Sequence, residues 1–249
     1  MNAKHCFLHL KGINEEIEFQ LYAQEIYSWE YLVESIVNDS IQLRFKEQII
    51  QGVSDSQRAL EHSNWNFFTS KMLSKYHYKL LPLTSKIAYV DIETTGLSKY
   101  NNYITTIGIY DGETSRIFVR GINLEEAYEY LEQFDVIVTF NGKQFDLPFI
   151  EHFSNKTFNC IHLDLRYMLK EFGLCGGLKR IERDLGITRN EEISQIDGLE
   201  AVRLWKRYQR GDKKALELLK KYNIEDIENL ELLLHYYLKQ KDALELLVS

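Results

Sequence analysis

The sequence contains few of the residues that mark disordered, secreted or zinc-binding proteins. Its 249 residues include 2 prolines and 3 cysteines. So little proline excludes a chain built of linkers or disordered segments. Cys6, Cys160 and Cys175 form no Cys-x-x-Cys pair and leave an odd count, which argues against structural zinc and indicates a reducing cytosol.

Excess positive charge and long apolar runs are also missing. The formal net charge is -7, which is unfavourable for a passive nucleic-acid binder. It does not exclude an enzyme that acts on nucleic acid, because a metal site itself contributes acidic residues. The N-terminus lacks an apolar signal core and no stretch reaches transmembrane length. We therefore expect a soluble cytoplasmic protein that binds no membrane, and the sequence identifies no protein partner.

The first part of the chain predicts a small helical module over residues 1–83, followed by a second domain over 84–249. Asn14 can cap one helix and Ser28 a second, a spacing compatible with a degenerate helix-hairpin-helix. Such a hairpin offers backbone N–H groups to a phosphate. Glu15 and Glu16 at the turn should repel one, which favours a packing module, while DNA binding remains open.

From about residue 86 the pattern changes to short β-branched and aromatic runs. They predict five strands, over Ile87–Ile92, Ile104–Tyr110, Ser115–Val119, Val136–Phe140 and Phe158–Leu163. Asp111-Gly112 is a hairpin turn signal, and the fourth run is apolar throughout, as in a central parallel strand. Helical patterns cover 124–131, the segment around Asp146 and Phe149, 165–172, 178–185, 199–208 and 213 to about 237. We expect an α/β fold with a mixed five-stranded sheet and helices on both faces.

Acidic residues occur where strands end or helices face the sheet. Asp91 and Glu93 are two apart on one predicted strand, so their side chains share a face. Asp146 follows the fourth strand, and Tyr222 and Asp226 are one turn apart on a predicted helix. Converging carboxylates cannot all stay ionised without a cation. An all-oxygen set suits Mg²⁺ or Mn²⁺, and a pair of such ions cleaves phosphodiesters.

Three motifs carry a family resemblance. Asp91-Ile-Glu-Thr-Thr-Gly96, Asn141-Gly-x-x-Phe-Asp-x-Pro-Phe149 and Tyr222-x-x-x-Asp226 resemble the exonuclease motifs of the DEDD superfamily, which has a ribonuclease H-like fold. Tyr222 is typical of the tyrosine subtype. The chain is most similar to the YprB-like family of predicted exonucleases, through Gly177–Gly186, Asp197–Tyr208 and the N-terminal His9–Ile13. The acidic turn near Asn14 departs from that family.

The resemblance implies a metal-dependent 3′–5′ exonuclease that hydrolyses terminal phosphodiesters of single-stranded DNA or RNA with two ions, Mg²⁺ or Mn²⁺. It implies that Asp91, Glu93 and Asp226 bind the first ion. Asp91 and Asp146 would bind the second, and Tyr222 would orient the attacking water. The residues implied to contact the nucleotide are Thr94, Leu97, Asn141 and Phe145.

Some interpretations stay open. Asp164 is favoured as a helix cap over an additional site acid. The basic residues Lys179, Arg180 and Arg183 form either a solvated face or phosphate contacts, as do those at 203–210. Two other functions are compatible with the motifs: a nucleic-acid-binding or scaffolding protein without turnover, and a structure-selective endonuclease on the same fold.

Overall fold

The computed structural model describes residues 5–248, with side chains as far as residue 244. The chain forms two compact units. The first reaches Ser85 and includes Asn159–His162, and the second comprises Lys86–Phe158 and Leu163–Val248. Division into separate domains at residues 83 and 84 stays a prediction. Across the described residues, every helix is too short or too polar to span a membrane.

The first unit is helical. Its elements are α1 (Glu15–Ala23), α2 (Trp29–Val37), α3 (Lys46–Glu61), α4 (Trp65–Thr69) and a 3₁₀ segment (Ser74–Leu83). The predicted caps are confirmed. The Asn14 side chain accepts from the Ile17 amide at 2.9 Å, and the Ser28 hydroxyl accepts from the Tyr31 amide at 3.2 Å. Each satisfies a backbone donor that the first helical turn leaves unpaired.

Aromatic rings fill the core of this unit. The Trp29 ring stacks on Phe68 with centroids 5.9 Å apart, and both side chains are buried. The Trp29 indole N–H donates to the Cys6 carbonyl at 3.0 Å, which satisfies the one polar atom of a buried ring. Among the cysteines, Cys6 is buried in this unit, whereas Cys175 of the second unit is exposed.

The chain forms one five-stranded sheet, and its first four strands belong to the second unit. The strands are β1 (Ile87–Thr94), β2 (Ile104–Tyr110), β3 (Ser115–Val119), β4 (Val136–Thr139) and β5 (Ile161–Asp164). They lie in the order β3-β2-β1-β4-β5. β1 pairs antiparallel with β2 and parallel with β4, and β2 pairs antiparallel with β3. The predicted mixed sheet is therefore confirmed, with β1 at its centre and β4 buried along its whole length.

The remaining helices are α5 (Glu126–Leu131), α6 (Asp146–Ser154), α7 (Leu165–Leu169), α8 (Leu178–Asp184), α9 (Gly198–Gln209) and α10 (Lys213–Val248). α10 packs against β1, β2 and β3, and α9 packs against α10 and β1. Several predicted bounds were wrong. β1 continues to Thr94 because Glu93 still pairs with Thr106. β5 begins only at Ile161, and α10 runs well past Tyr237.

Candidate metal centre

The first and third acidic motifs meet at the central strand. In β1, Asp91 lies opposite Gly108 of β2 and Glu93 lies opposite Thr106. Alternate residues of a strand face the same side, so the two carboxylates share one face of the sheet. The carboxylate of Asp226, from α10, joins them. Asp91, Glu93 and Asp226 each offer an oxygen, and these oxygens all lie within 4.8 Å of one another.

Asp146 approaches the same strand from the second motif. It is the first residue of α6 and is buried. Its Oδ1 accepts a hydrogen bond at 3.2 Å from the amide of Ile92, the residue between the two β1 acids. Asp146 lies outside the set of three carboxylates that converge within 4.8 Å. Its charge nevertheless contributes to raising the pKa of both Asp91 and Glu93.

Loss of water and mutual repulsion make these acids hard to ionise. The pKa values of Asp91 and Glu93 are well above their ordinary ranges, first because the surroundings exclude water and then because of Asp226 and Asp146. Burial also raises the pKa of Asp146 to about 7, although the Ile92 amide opposes the shift. Without a cation, the folded protein therefore favours protonated carboxyl groups here.

Asp226 differs from the other acids of the site because it forms an ion pair with an arginine, Arg189. Burial raises its pKa to about 6, and the charge and hydrogen bond of Arg189 oppose that rise. The Arg189 guanidinium donates to Asp226 Oδ1 at 2.5 Å. It also donates to both oxygens of Glu182, each at 2.6 Å. Arg189 could not be identified from the sequence, because it lies between two helices and no regular spacing connects it to Asp226.

Tyr222 and Asn223 precede Asp226 on α10. Tyr222 is buried, and burial together with the Asp226 and Glu93 charges raises the pKa of its hydroxyl. Asn223 donates through Nδ2 to Asp91 Oδ2 at 2.7 Å. A Cβ at Gly108 would lie 2.8 Å from Asn223 Oδ1, so only glycine leaves room for this amide. Asn223 was also missed, although a polar residue beside Tyr222 on a helix facing the sheet was a usable signal.

The basic residues of α8 differ in their surroundings. Lys179 is half-buried, and its ammonium donates to the carbonyls of Ser194, at 3.0 Å, and Ile196. It lies 5.2 Å from the centroid of the Tyr222 ring, and its charge lowers the pKa of Glu93. Arg180 is exposed and interacts with Asp184 at 3.9 Å, one turn along α8. Lys179 is therefore part of the site's surroundings rather than of a solvated face.

Asp164 organises the loop of the second motif. It accepts from the amides of Asn141 at 2.8 Å and Lys143 at 3.0 Å. It also accepts from the Arg166 amide at 3.1 Å, which confirms the predicted cap of α7. Asn141 has a left-handed backbone with φ 69°, which asparagine tolerates better than most residues. Its Oδ1 accepts from the Arg166 guanidinium at 2.7 Å.

The other residues implied to contact a nucleotide lie on the loops of the same motifs. Thr94 ends β1, and its hydroxyl donates to the Gly96 carbonyl at 2.7 Å. Leu97 is 87% exposed. The Phe145 ring precedes α6 and lies 4.9 Å from the Phe149 ring.

The donor set fits a hard divalent cation. Asp91, Glu93 and Asp226 offer oxygen atoms alone, with no histidine or cysteine in the group. Mg²⁺ and Mn²⁺ prefer such ligands, whereas zinc sites in proteins usually include histidine or cysteine. The raised pKa values of these carboxyl groups are consistent with a cation site, because a bound cation would favour their ionised forms.

Comparison with known proteins supports the fold. The family model of the RNase H superfamily matches residues 88–238, more than half of the chain. The family B DNA polymerase of the archaeon Pyrobaculum calidifontis is similar with a TM-score of 0.50 and 17% identity over 61% of this chain. The chain spans only 24% of that polymerase.

Other similar structures include Brucella melitensis NrnC, solved bound to pGG and with bound Mg²⁺. Each of these two aligns with a TM-score of 0.42 and 17% identity, over 63% of this chain and 75% of NrnC. No curated protein matches the chain significantly. The extent of the family match and the topology of the sheet place the chain in one family: it belongs to the RNase H superfamily.

Proposed function

We propose that this protein is a metal-dependent 3′–5′ exonuclease of the DEDD type, tyrosine subtype, related to the YprB-like family. It would hydrolyse the terminal phosphodiester of single-stranded nucleic acid with two Mg²⁺ or Mn²⁺ ions. A cytoplasmic location belongs to the same proposal. The observation that carries it is the convergence of Asp91, Glu93 and Asp226 within 4.8 Å in a chain of the RNase H superfamily.

The carboxylates have separable tasks in this proposal. Asp91, Glu93 and Asp226 would hold one ion, and Asp91 together with Asp146 would hold the other. When bound, such ions activate water and stabilise the charge of the transition state. Asn223 fixes the rotamer of Asp91 through the 2.7 Å hydrogen bond. The Ile92 amide does the same for Asp146 at 3.2 Å.

Tyr222 is assigned to orienting the attacking water. Its hydroxyl keeps its proton, since burial and the surrounding carboxylates raise its pKa. A protonated phenol can donate a hydrogen bond to a water or to a phosphate oxygen and still accept one. The proposed role is therefore positioning by hydrogen bonding and not proton abstraction.

The terminal nucleotide is assigned to four residues on two loops, Thr94, Leu97, Asn141 and Phe145. Leu97 is 87% exposed and would regain apolar contact by packing against a base. Asn141 is held by Asp164 and Arg166, so its polar groups are preorganised. The 3′–5′ direction rests on the motif resemblance, and the proposal covers both DNA and RNA.

The direct test uses the whole protein with 5′-labelled single-stranded DNA and RNA, in Mn²⁺ or Mg²⁺. We expect a ladder that shortens from the 3′ end and that is lost in Asp91→Asn and on addition of EDTA. Asp55→Asn is the matched control, because Asp55 is an acid of α3 that lies in the first unit. It should degrade the substrate like the wild type.

Covalently closed single-stranded circles complete the experiment. An exonuclease leaves them intact, whereas nicking of circles would show a structure-selective endonuclease. Retention of either polymer without degradation would identify a binding protein or scaffold. In either of these two cases the exonuclease proposal would be wrong.

A further inference from the structure

A buried arginine bridges the candidate metal centre and the helix behind it. Arg189 lies between α8 and α9, and its side chain is 6% exposed. Its Nε and one N–H of Nη2 donate to the two oxygens of Glu182. Nη2 also donates to Asp226 Oδ1. One planar guanidinium thus joins an acid of α8 to a carboxylate of the converging set on α10.

Further contacts hold this bridge in place. Asn229, three residues after Asp226 on α10, donates through Nδ2 to Glu182 Oε1 at 2.9 Å. Glu225 accepts from the Asn190 amide at 2.7 Å, next to Arg189 in the chain. The guanidinium orientation is therefore fixed from both helices. Only a planar group with several N–H donors can contact Glu182 and Asp226 in this arrangement.

Arg189 contacts a second carboxylate in addition to the one that neutralises its charge. Glu182 alone would neutralise Arg189, and the hydrogen bond from Asn229 to Glu182 already joins α10 to α8. Asp226 is nevertheless held by the same guanidinium, beside Asp91 and Glu93. Arg189 engages Oδ1 of Asp226, and the guanidinium leaves Oδ2 untouched. Asp226 is thereby fixed in position among like charges that would otherwise push it away.

We propose that Arg189 is a positioning residue that holds Asp226 in the geometry needed to bind a divalent cation. This inference rests on the proposed metal site. A direct contact with substrate phosphate is the competing role for an arginine near such a site. The burial of Arg189 disfavours that role, because the one nitrogen of its guanidinium that makes no hydrogen bond, Nη1, is itself buried and lies 4.0 Å from Glu225 Oε2.

The test is Mn²⁺ binding by calorimetry, without substrate, to the full-length wild type and to Arg189→Lys. Lysine keeps the charge but lacks the planar fork, so the comparison isolates geometry from electrostatics. We expect Arg189→Lys to bind Mn²⁺ about tenfold more weakly, as is common when a partner behind a ligand is lost. Arg58→Lys is the control, because Arg58 forms an exposed ion pair with Asp55 in α3, and its Mn²⁺ affinity should match the wild type.

Kinetics on single-stranded oligonucleotide provide a second readout. At saturating Mn²⁺, Arg189→Lys should lower kcat with little change in KM. A raised KM with unchanged Mn²⁺ affinity would instead show a phosphate contact and overturn the inference. A lower melting temperature with wild-type Mn²⁺ affinity would show a purely structural bridge and overturn it too. If Arg189→Lys does not fold, Glu182→Gln replaces it and should weaken Mn²⁺ binding by a smaller factor.

Two failures can be told apart. If the wild type binds no Mn²⁺, the proposed metal-dependent function is wrong, and with it the inference that rests on it. If the wild type binds Mn²⁺ and Arg189→Lys binds it equally well, the proposed function stands and Arg189 has no positioning role.

Discussion

Both units of the protein bury acidic side chains, but in opposite electrostatic surroundings. In the first unit, Glu18 of α1 is 1% exposed. One of its oxygens accepts from the Phe7 amide at 2.7 Å, and the other accepts from the Lys79 ammonium at 2.8 Å. In the second unit, Asp91, Glu93 and Asp226 converge, and the charge of Asp146 acts on them. Of these acids Asp226 accepts from Arg189, which is already shared with Glu182.

The difference separates a structural acid from a functional one. A buried charge is tolerated when hydrogen bonds and an opposite charge replace the water it lost. Glu18 has both, so its unit folds around a matched pair. The acids of β1, α6 and α10 are undercompensated by the protein alone. Such a cluster costs stability and persists in natural proteins where function requires it.

The largest effect is expected where the cluster acts. Asp146→Asn removes one ligand of the proposed second ion but keeps an oxygen that can accept from the Ile92 amide. We expect exonuclease turnover to fall by about 10³-fold, equivalent to about 4 kcal/mol of transition-state stabilisation. Single-turnover degradation of labelled oligonucleotide measures it. Activity within threefold of the wild type would remove Asp146 from the site.

A substitution in the Glu18–Lys79 ion pair should change the free energy of unfolding and leave turnover unchanged. Glu18→Gln removes the negative charge of this buried ion pair, in which the Lys79 side chain is 16% exposed. Loss of one partner of a buried pair costs about 3–5 kcal/mol, and the partial exposure of Lys79 reduces our expectation to about 2 kcal/mol. Urea unfolding followed by tryptophan fluorescence measures the change.

The control for that experiment is the double variant Glu18→Gln/Lys79→Met. It removes both charges and should recover a large part of the lost stability. No recovery would mean that the hydrogen bond to Phe7, rather than the ion pair, stabilises this part of the fold.

The two acids of β1 could be predicted from sequence because a strand has a period of two. Asp91 and Glu93 interrupt an apolar run at alternate positions, so their common face follows from the backbone alone. The sheet itself was predictable for the same reason. Strand and helix bounds were less accurate, since β5 begins later than its apolar run and α10 continues past the end of its helical pattern.

The compensation around the acids was not predictable. Arg189 is 37 residues from Asp226. It is seven residues from Glu182, but α8 ends at Asp184, so a helical spacing does not relate the two. Asn223 and Gly108 form a complementary pair only because α10 crosses β2. Sequence patterns report which face of an element is buried. They do not report which polar groups from other elements meet there.

Tyr222→Phe is a finer test of the functional acids. It removes a hydroxyl proposed to orient water and no proposed metal ligand. We expect turnover to fall by about tenfold to 10²-fold, the range for a positioned hydrogen-bonding group, with Mn²⁺ affinity within twofold of the wild type. Calorimetry and single-turnover assays on the same sample separate the two quantities. A large loss of Mn²⁺ binding would contradict the water-positioning role.

A buried histidine extends the comparison to pH. His9 of the first unit accepts or donates one hydrogen bond, with the Ser56 hydroxyl at 2.8 Å, and burial lowers its pKa to about 3. The unfolded chain binds this proton near pH 6.5 and the folded protein does not. Its contribution to stability is therefore complete above pH 6.5 and is lost as the pH falls from 6.5 toward 3.

Between pH 6 and 4, we expect His9 alone to lower the free energy of unfolding by about 1.4 kcal/mol for each pH unit that the pH falls. The acids of the second unit titrate in the opposite sense, so the difference between the wild type and His9→Gln is the relevant quantity. Urea unfolding at pH 7, 6 and 5 measures it. If the free energies of unfolding of the two proteins changed equally with pH, His9 would be protonated in the folded state.

The smallest effect has the most informative sign. Glu93→Gln makes the same chemical change as Glu18→Gln, but it removes a charge that Asp226 and Asp146 repel. Because the pKa of Glu93 is raised in the folded protein, its ionisation destabilises the fold as the pH rises through that pKa. At pH 8 in EDTA, Glu93→Gln should therefore stabilise the protein by about 1 kcal/mol. In saturating Mn²⁺ the wild type should instead be the more stable of the two proteins, since only the wild type keeps the full ligand set. At a hundredfold excess of Mn²⁺ over Kd, binding stabilises the folded wild type by about 2.7 kcal/mol. Destabilisation by Glu93→Gln in EDTA would show that the cluster is compensated like Glu18, and the electrostatic case for a metal centre would be lost.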